Sequence, residues 1–229
     1  MLSIFAKETP SAGSVLYRGN LPPRPEEFSF LEKQGTELKR LKVGDFAHWG
    51  LTARHPQWGE AQLVCLRETK IPSEVVMFAP GLTDEERRAA AGTSVSVSVR
   101  VPAKHKTVLK DRKRMLRWGR ELMADDGLVL MDHQSMQGWG KDRLDDELMH
   151  DADLDVEALY AVHGVTEDDP KKEDEPACLW MHTHGLGELG AFDFDIIRPH
   201  AELNTVRGAD LLRSMAFAIL EGKLAADVA

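Results

Sequence analysis

The clearest pattern in the chain runs from Ser94 to Val101, where Val95, Val97, Val99 and Val101 alternate with Ser94, Ser96, Ser98 and Arg100. A period of two with β-branched residues on one side predicts a strand buried on one face and wet on the other. Phe46 to Arg54 and Glu60 to Glu68 predict two further strands, with His55-Pro56-Gln57-Trp58-Gly59 as the hairpin-type loop between them. Short apolar runs at Glu74–Phe78, Leu128–Met131, Ala158–Val165, Leu179–Thr183 and Phe192–Ile197 read as strands as well.

The helical signals have a different period. Thr83 followed by Asp84-Glu85-Glu86 is a capping box, in which Thr83 caps and Glu86 reaches back to it, and this helix ends at Gly92. Thr107 to Ala124 places Val108, Leu109, Leu116, Leu122 and Met123 near one face before Gly127. Asp142 to His150 reads as a short acidic helix. Val206 to Lys223 carries Leu212, Met215, Ala216, Ile219 and Leu220 on one stripe. The first 25 residues are rich in Pro, Gly and Ser, with Leu21-Pro22-Pro23-Arg24-Pro25 as a rigid, extended piece, after which Pro25-Glu26-Glu27 opens a helical turn that buries Phe28 and Leu31.

Strands and helices mix without strict alternation, and the strands near 178–197 are too closely spaced for a helical crossover. The pattern predicts an α+β fold: a largely antiparallel sheet, layered, with helices packed on one face. The valine strand straddles the middle of the chain, which favours one compact unit over residues 1–229 with sub-lobes 1–92 and 93–229.

Composition adds limits. The chain has 229 residues, 42% hydrophobic and 29% charged, with a formal net charge of −9, ordinary values for a globular protein with a sizeable core. No apolar run approaches the roughly 20 residues that span a membrane. Met1 to Ala6 has no basic region and no long apolar core, so no secretory signal is expected. Cys65 and Cys178 each sit in an apolar run without a CxxC neighbour, which fits a reducing cytoplasm.

The charge is uneven. Residues 1–114 hold 19 Lys+Arg against 13 Asp+Glu, and residues 115–229 hold 10 against 25. The basic excess peaks at 104–120 and the acidic excess at 142–175. Solvated faces that partly neutralise each other account for this; the alternative is a charge-complementary contact, with 142–175 facing a basic partner. Nucleic acid is disfavoured as a partner because phosphate repels the chain as a whole.

The densest chemistry lies in Trp180, His182, His184, Gly185, Asp193 and Asp195, the residues in which a binding site is expected. Gly185-Leu186-Gly187-Glu188-Leu189-Gly190 matches G-x-G-x-x-G but runs into an alternating strand, whereas a dinucleotide fingerprint opens a helix. It reads as a glycine-rich connection that uses positive φ. His182 and His184 fall on one side of a strand and could ligate a metal with His200 or an acid, as in metal-dependent hydrolases, yet no zincin spacing supports this. No cofactor is expected. Asp132-His133-Gln134-Ser135 is polar enough for a site and reads more simply as a loop after a strand. There is no nucleophile elbow or Walker loop.

Leu159 to Val165, then Leu179-Trp180-Met181-His182-Thr183-His184-Gly185-Leu186 and Gly190 to Ile196, resembles a motif of bacterial domain-of-unknown-function proteins. In that family a Trp-x-His-Thr-His-Gly-Leu strand is followed by an acidic-hydrophobic-acidic strand, here Asp193-Phe194-Asp195, and a closing helix matched by Leu211 to Ala216. The resemblance spans about residues 93–225 and leaves 1–92 unplaced. It implies a bacterial cytoplasmic protein without an assigned activity, and by analogy a protein-binding role as an immunity or accessory factor, or a homo-oligomer.

Overall fold

A computed structural model describes residues 10–19, 22–68, 71–103, 107–124, 126–149, 154, 159–167, 178–189, 191–197 and 205–220. The fold is α+β, and its contacts group into two compact units, Met1–Leu154 and Asp155–Ala229. The seam expected at 92/93 falls inside the first unit, between elements that share one sheet.

The first unit is built on seven antiparallel strands: β1 (Ser11–Tyr17), β2 (Glu37–Arg40), β3 (Ala47–His55), β4 (Gly59–Leu66), β5 (Ser96–Val101), β6 (Gly127–Asp132) and β7 (Gly138–Trp139), in the order β2-β3-β4-β5-β1-β6-β7. The β3–β4 hairpin closes as the sequence predicts. The Gln57 and Trp58 amides donate to His55 Nδ1, and Gly59 takes φ +72. β1 departs from expectation. Within the Pro-, Gly- and Ser-rich start of the chain, where no strand was expected, Ser11–Tyr17 is a fully buried strand between β5 and β6, with Ser14 opposite Ser98 on one side and Met131 on the other.

Register sorts the sheet into two faces. Leu63, Val99, Gly13 and Asp132 are cross-strand partners on one; Val64, Ser98, Ser14 and Met131 are partners on the other. Helix α4 (Val108–Met123) packs on the first face, and Gly13 is required there: a Cβ would lie 2.9 Å from Leu130 Cδ1 and 3.0 Å from Met115 Sδ. The basic side of α4 is not wholly solvated. Arg112 Nη2 lies 2.5 Å from Asp132 Oδ2, with side chains 1% and 0% exposed. On the second face α2 (Ser73–Phe78) and α3 (Asp84–Ala90) shield Leu16, Val129 and Met131 through Val76, Leu82 and Ala90.

That cover corrects two expectations. Ser96 and Ser98 are buried rather than wet, because β5 is an inner strand with both faces lined. Glu74–Phe78, read as a strand from its valines, is the helix α2. Pro72 caps it, and only Val76 of its residues is buried. The Thr83 capping box is complete, with the Thr83 amide donating to Glu86 Oε2 and the Glu86 amide donating to Thr83 Oγ1. Short helices α1 (Phe30–Lys33) and α5 (Lys141–Met149) complete the unit. Arg120 of α4 grips Asp145 of α5 through two bonds of 2.6 and 2.7 Å, so part of the basic excess is neutralised within the fold.

The second unit has three antiparallel strands, β8 (Ala161–Glu167), β9 (Cys178–His184) and β10 (Asp195–Ile197), with β9 in the middle, and helix α6 (Thr205–Leu220). Tyr160, Leu186, Ala191 and Ala216 are its buried cluster, joined by Val162, Phe194 and Ile219. α6 uses the stripe its sequence predicts, with Leu212 and Ala216 at 0% exposure. Among the described residues no helix is long and apolar enough to cross a membrane.

Candidate functional site

Strand β9 carries the sequence's candidate residues, and alternation divides them. Met181 and Thr183 point toward the covered side. Trp180, His182 and His184 point to the other. Register then supplies neighbours that spacing alone cannot: His182 is flanked by Asp195 on β10 and by His163 on β8, and Trp180 by Ile197 and Val165. The face turned away from α6, which no described element of this unit covers, therefore carries an apolar row, Ile197-Trp180-Val165, beside a polar row, Asp195-His182-His163. His184 follows, opposite Ala161.

The polar row is tightly connected. His182 Nε2 and His184 Nε2 share a hydrogen bond of 2.8 Å, with the rings nearly perpendicular at 89°. His163 lies stacked on His182 at 5.6 Å between centroids and edge-on to His184 at 5.1 Å. The indole of Trp180 lies against the His182 ring at 4.3 Å and donates its N–H to Asp195 Oδ1 at 2.9 Å. His182 is 8% exposed, and its Nδ1 has no hydrogen-bond partner among the described residues. Burial holds its pKa below the ordinary imidazole range, aided by electrostatic repulsion from the neighbouring His184 and opposed by Asp195 and Asp193. The neutral ring suits a bond in which one imidazole donates and the other accepts.

Asp193 and Asp195, two apart, are drawn to opposite sides. Asp193 precedes β10, and its carboxylate accepts from Thr183 Oγ1 and from the Leu186 amide, both at 3.1 Å. Thr183 Oγ1 accepts from the Phe194 amide at 2.8 Å. Asp193 thus clasps the turn rather than joining the histidines. Gly185 takes φ +108, the conformation expected of it, and leads into a single 3-10 turn over Leu186–Leu189, not the long helix a dinucleotide site requires. Among the described residues no group of three His, Cys, Asp or Glu side chains is placed to hold a metal ion. His200, the third ligand of the metal reading, lies outside the described residues, as do 150–153, 155–158 and 168–175 of the acidic stretch 142–175.

A second feature was not visible in the sequence. The first unit forms an open cavity of about 680 Å³ on the sheet face opposite α4, lined by groups from β1, β4, β5, β6, the 41–46 segment, α2 and the loop after β6. Within it Ser14 Oγ lies 2.9 Å from His133 Nε2. Burial lowers the His133 pKa; Asp132 opposes this, while Arg100 and Arg112 add to it. The Ser14–His133 pair does not extend to a triad. Asp132 faces Arg112 with one oxygen and accepts from the Gln134 and Ser135 amides with the other. The segment 132–135 is a loop in which Asp132 secures the backbone.

No family model, no curated protein and no solved structure matches this chain.

Proposed function

We propose that the protein is a binding module that engages a protein partner through the uncovered face of its three-stranded sheet. The observation that carries this reading is the row Ile197-Trp180-Val165. These residues are 71%, 43% and 42% exposed, and they are direct cross-strand neighbours. Contiguous exposed apolar side chains at the edge of a polar group are the composition of an interface, and tryptophan is prominent among residues that dominate binding energy. The Trp180 indole is also held in place, by Asp195 at its N–H and by His182 at its ring. An anchor already fixed loses little side-chain entropy on binding.

A cytoplasmic setting goes with this reading, supported by Cys65, a free thiol that is fully buried and whose pKa burial pushes up to about 12. Such a thiol is a small core residue rather than a reactive one. The likeness of 179–196 to proteins without an assigned activity points in the same direction, toward an immunity or accessory role.

The test is affinity capture from cells that make the protein, at physiological salt, with the native chain and with Trp180→Ala and Ile197→Asp, alongside sedimentation of the purified protein. The native chain retains a defined protein that both variants lose. A native chain that retains nothing the variants lack, and that sediments as a monomer, ends the proposal. Self-association lost in both variants would make the partner a second copy.

A further inference from the structure

The cavity of the first unit has a polarity gradient written along its strands. Gln62 and Arg100 are cross-strand partners at one end; Val64, Ser98, Ser14 and Met131 form the next row but one; Leu66 lies beyond them. Residues two apart share a face, so these rows line the same floor. Ile71 and Val75 and the 41–46 segment form walls over the apolar end, while His133 reaches Ser14 from the loop after β6. The floor changes from cationic and hydroxylic to aliphatic within three rows.

The charge in the cavity has one sign. Arg100 and Lys42 line it, and the one acid in the lining, Asp132, is already matched by Arg112 on the other side of the sheet. Among the described residues no carboxylate forms an ion pair with Arg100. A guanidinium in a concave wall, beside the hydroxyls of Ser14 and Ser98, matches a carboxylate, which takes two parallel N–H bonds and further donors. The volume is within the range of sites that enclose a ligand of a few dozen atoms.

We propose that this cavity binds a small amphiphilic carboxylate, an acid with an aliphatic tail, with its head at Arg100, Ser14 and Ser98 and its tail against Leu66, Ile71 and Val75. The site is independent of the uncovered face of the second unit. It needs no chemistry from the protein: Arg100 supplies the counter-charge, the serines orient the head, and the aliphatic wall takes the tail from water.

The experiment is calorimetric titration of the full chain with octanoate, and with two partial ligands: acetate, which has the head alone, and octan-1-ol, which has the tail alone. Octanoate binds with one-to-one stoichiometry and more tightly than either. Arg100→Gln weakens octanoate by about tenfold or more and leaves octan-1-ol unchanged. Val75→Trp, which fills the apolar end, weakens both. Thermal melts by circular dichroism establish that each variant is folded, and Arg100→Lys, which keeps the charge and loses the fork, recovers part of the affinity. Absence of saturable binding, equal octanoate affinity in Arg100→Gln, or octan-1-ol binding as tightly as octanoate would each overturn the proposal.

Discussion

Strand β5 of the larger sheet and β9 of the smaller one are both inner strands, yet their side chains meet different surroundings. On β5, Ser96, Val97, Ser98 and Val99 are all buried, because α4 covers one face and α2, α3 and the cavity walls cover much of the other. On β9, Met181 and Thr183 are buried toward α6, while Trp180 stays 43% exposed. Central position in a sheet does not decide burial; the second cover does. A sheet covered twice must fit small residues where layers approach, hence Gly13 beneath α4. A sheet covered once can leave a tryptophan exposed on its other side, while His182 there is buried by its own neighbours Trp180, His163 and His184.

The sharpest way to break this comparison uses the two ion pairs. Asp132→Ala leaves Arg112 buried without its carboxylate and costs about 3–5 kcal/mol. Asp210→Ala removes the partner of Arg213 at 3.3 Å, where the side chains are 64% and 55% exposed, and costs less than about 1 kcal/mol. Urea denaturation of both variants checks the difference, and equal costs would mean that the larger sheet is not covered twice.

Two valines give a second test. Val97→Ala deletes methyl groups at 0% exposure and costs about 2 kcal/mol. Val165→Ala, at 42% exposure on β8, stays within about 0.5 kcal/mol in the same assay. Asp193→Ala releases the clasp on Thr183 and Leu186 and costs about 1 kcal/mol. Faster amide exchange at Leu186 and Phe194 would locate that loss.

The smallest effect lies in the pH profile. His182 and His133 both have depressed pKa values, first through burial. A base whose folded pKa is lowered contributes stability that is present above its unfolded pKa and lost as pH falls through the folded value. Each unit therefore weakens as pH falls below about 6.5. Proton NMR titration of the imidazoles checks the direction; ring signals that titrate above the ordinary value would reverse it.

Much of the architecture was legible because most elements carry their own local signal. The β3–β4 hairpin, the Thr83 cap, α4 and α6 all follow from spacing and turn chemistry. β1 was not legible for a physical reason. Gly13 is small where Leu130 and Met115 press on it, Ser14 forms part of the cavity floor, and small residues at the consecutive positions Ser11 to Ser14 show no period of two. α2 was misread because Val75, Val76 and Phe78 favour strand locally, while Pro72 starts a helix and the sheet beneath needs only Val76. The shared side of His182 and His184 could be read from alternation, but the arrival of His163 and Asp195 beside them depends on register with two other strands. The cavity draws its lining from segments more than a hundred residues apart, and no local pattern encodes that.

The place of β1 in the sheet has a consequence for how the protein is made. Tyr17 pairs with Gly127, so about 110 residues must be synthesised before the strand can complete its place. At roughly 5–20 residues per second this is a wait on the order of ten seconds. Before it ends, the hairpin of β3 and β4 can form and β5 can pair with β4 and β1, which leaves β1 as the open edge and Val97 and Val99 uncovered until α4 follows. The waiting strand begins with serine, alanine and glycine, and its apolar surface is confined to Val15, Leu16 and Tyr17. The exposed valines are interrupted by Ser96, Ser98 and Arg100, which lower their tendency to stack with another nascent chain. Newly made protein is thus most vulnerable to aggregation between the emergence of β5 and that of β6, and refolding yield from denaturant should fall as concentration rises.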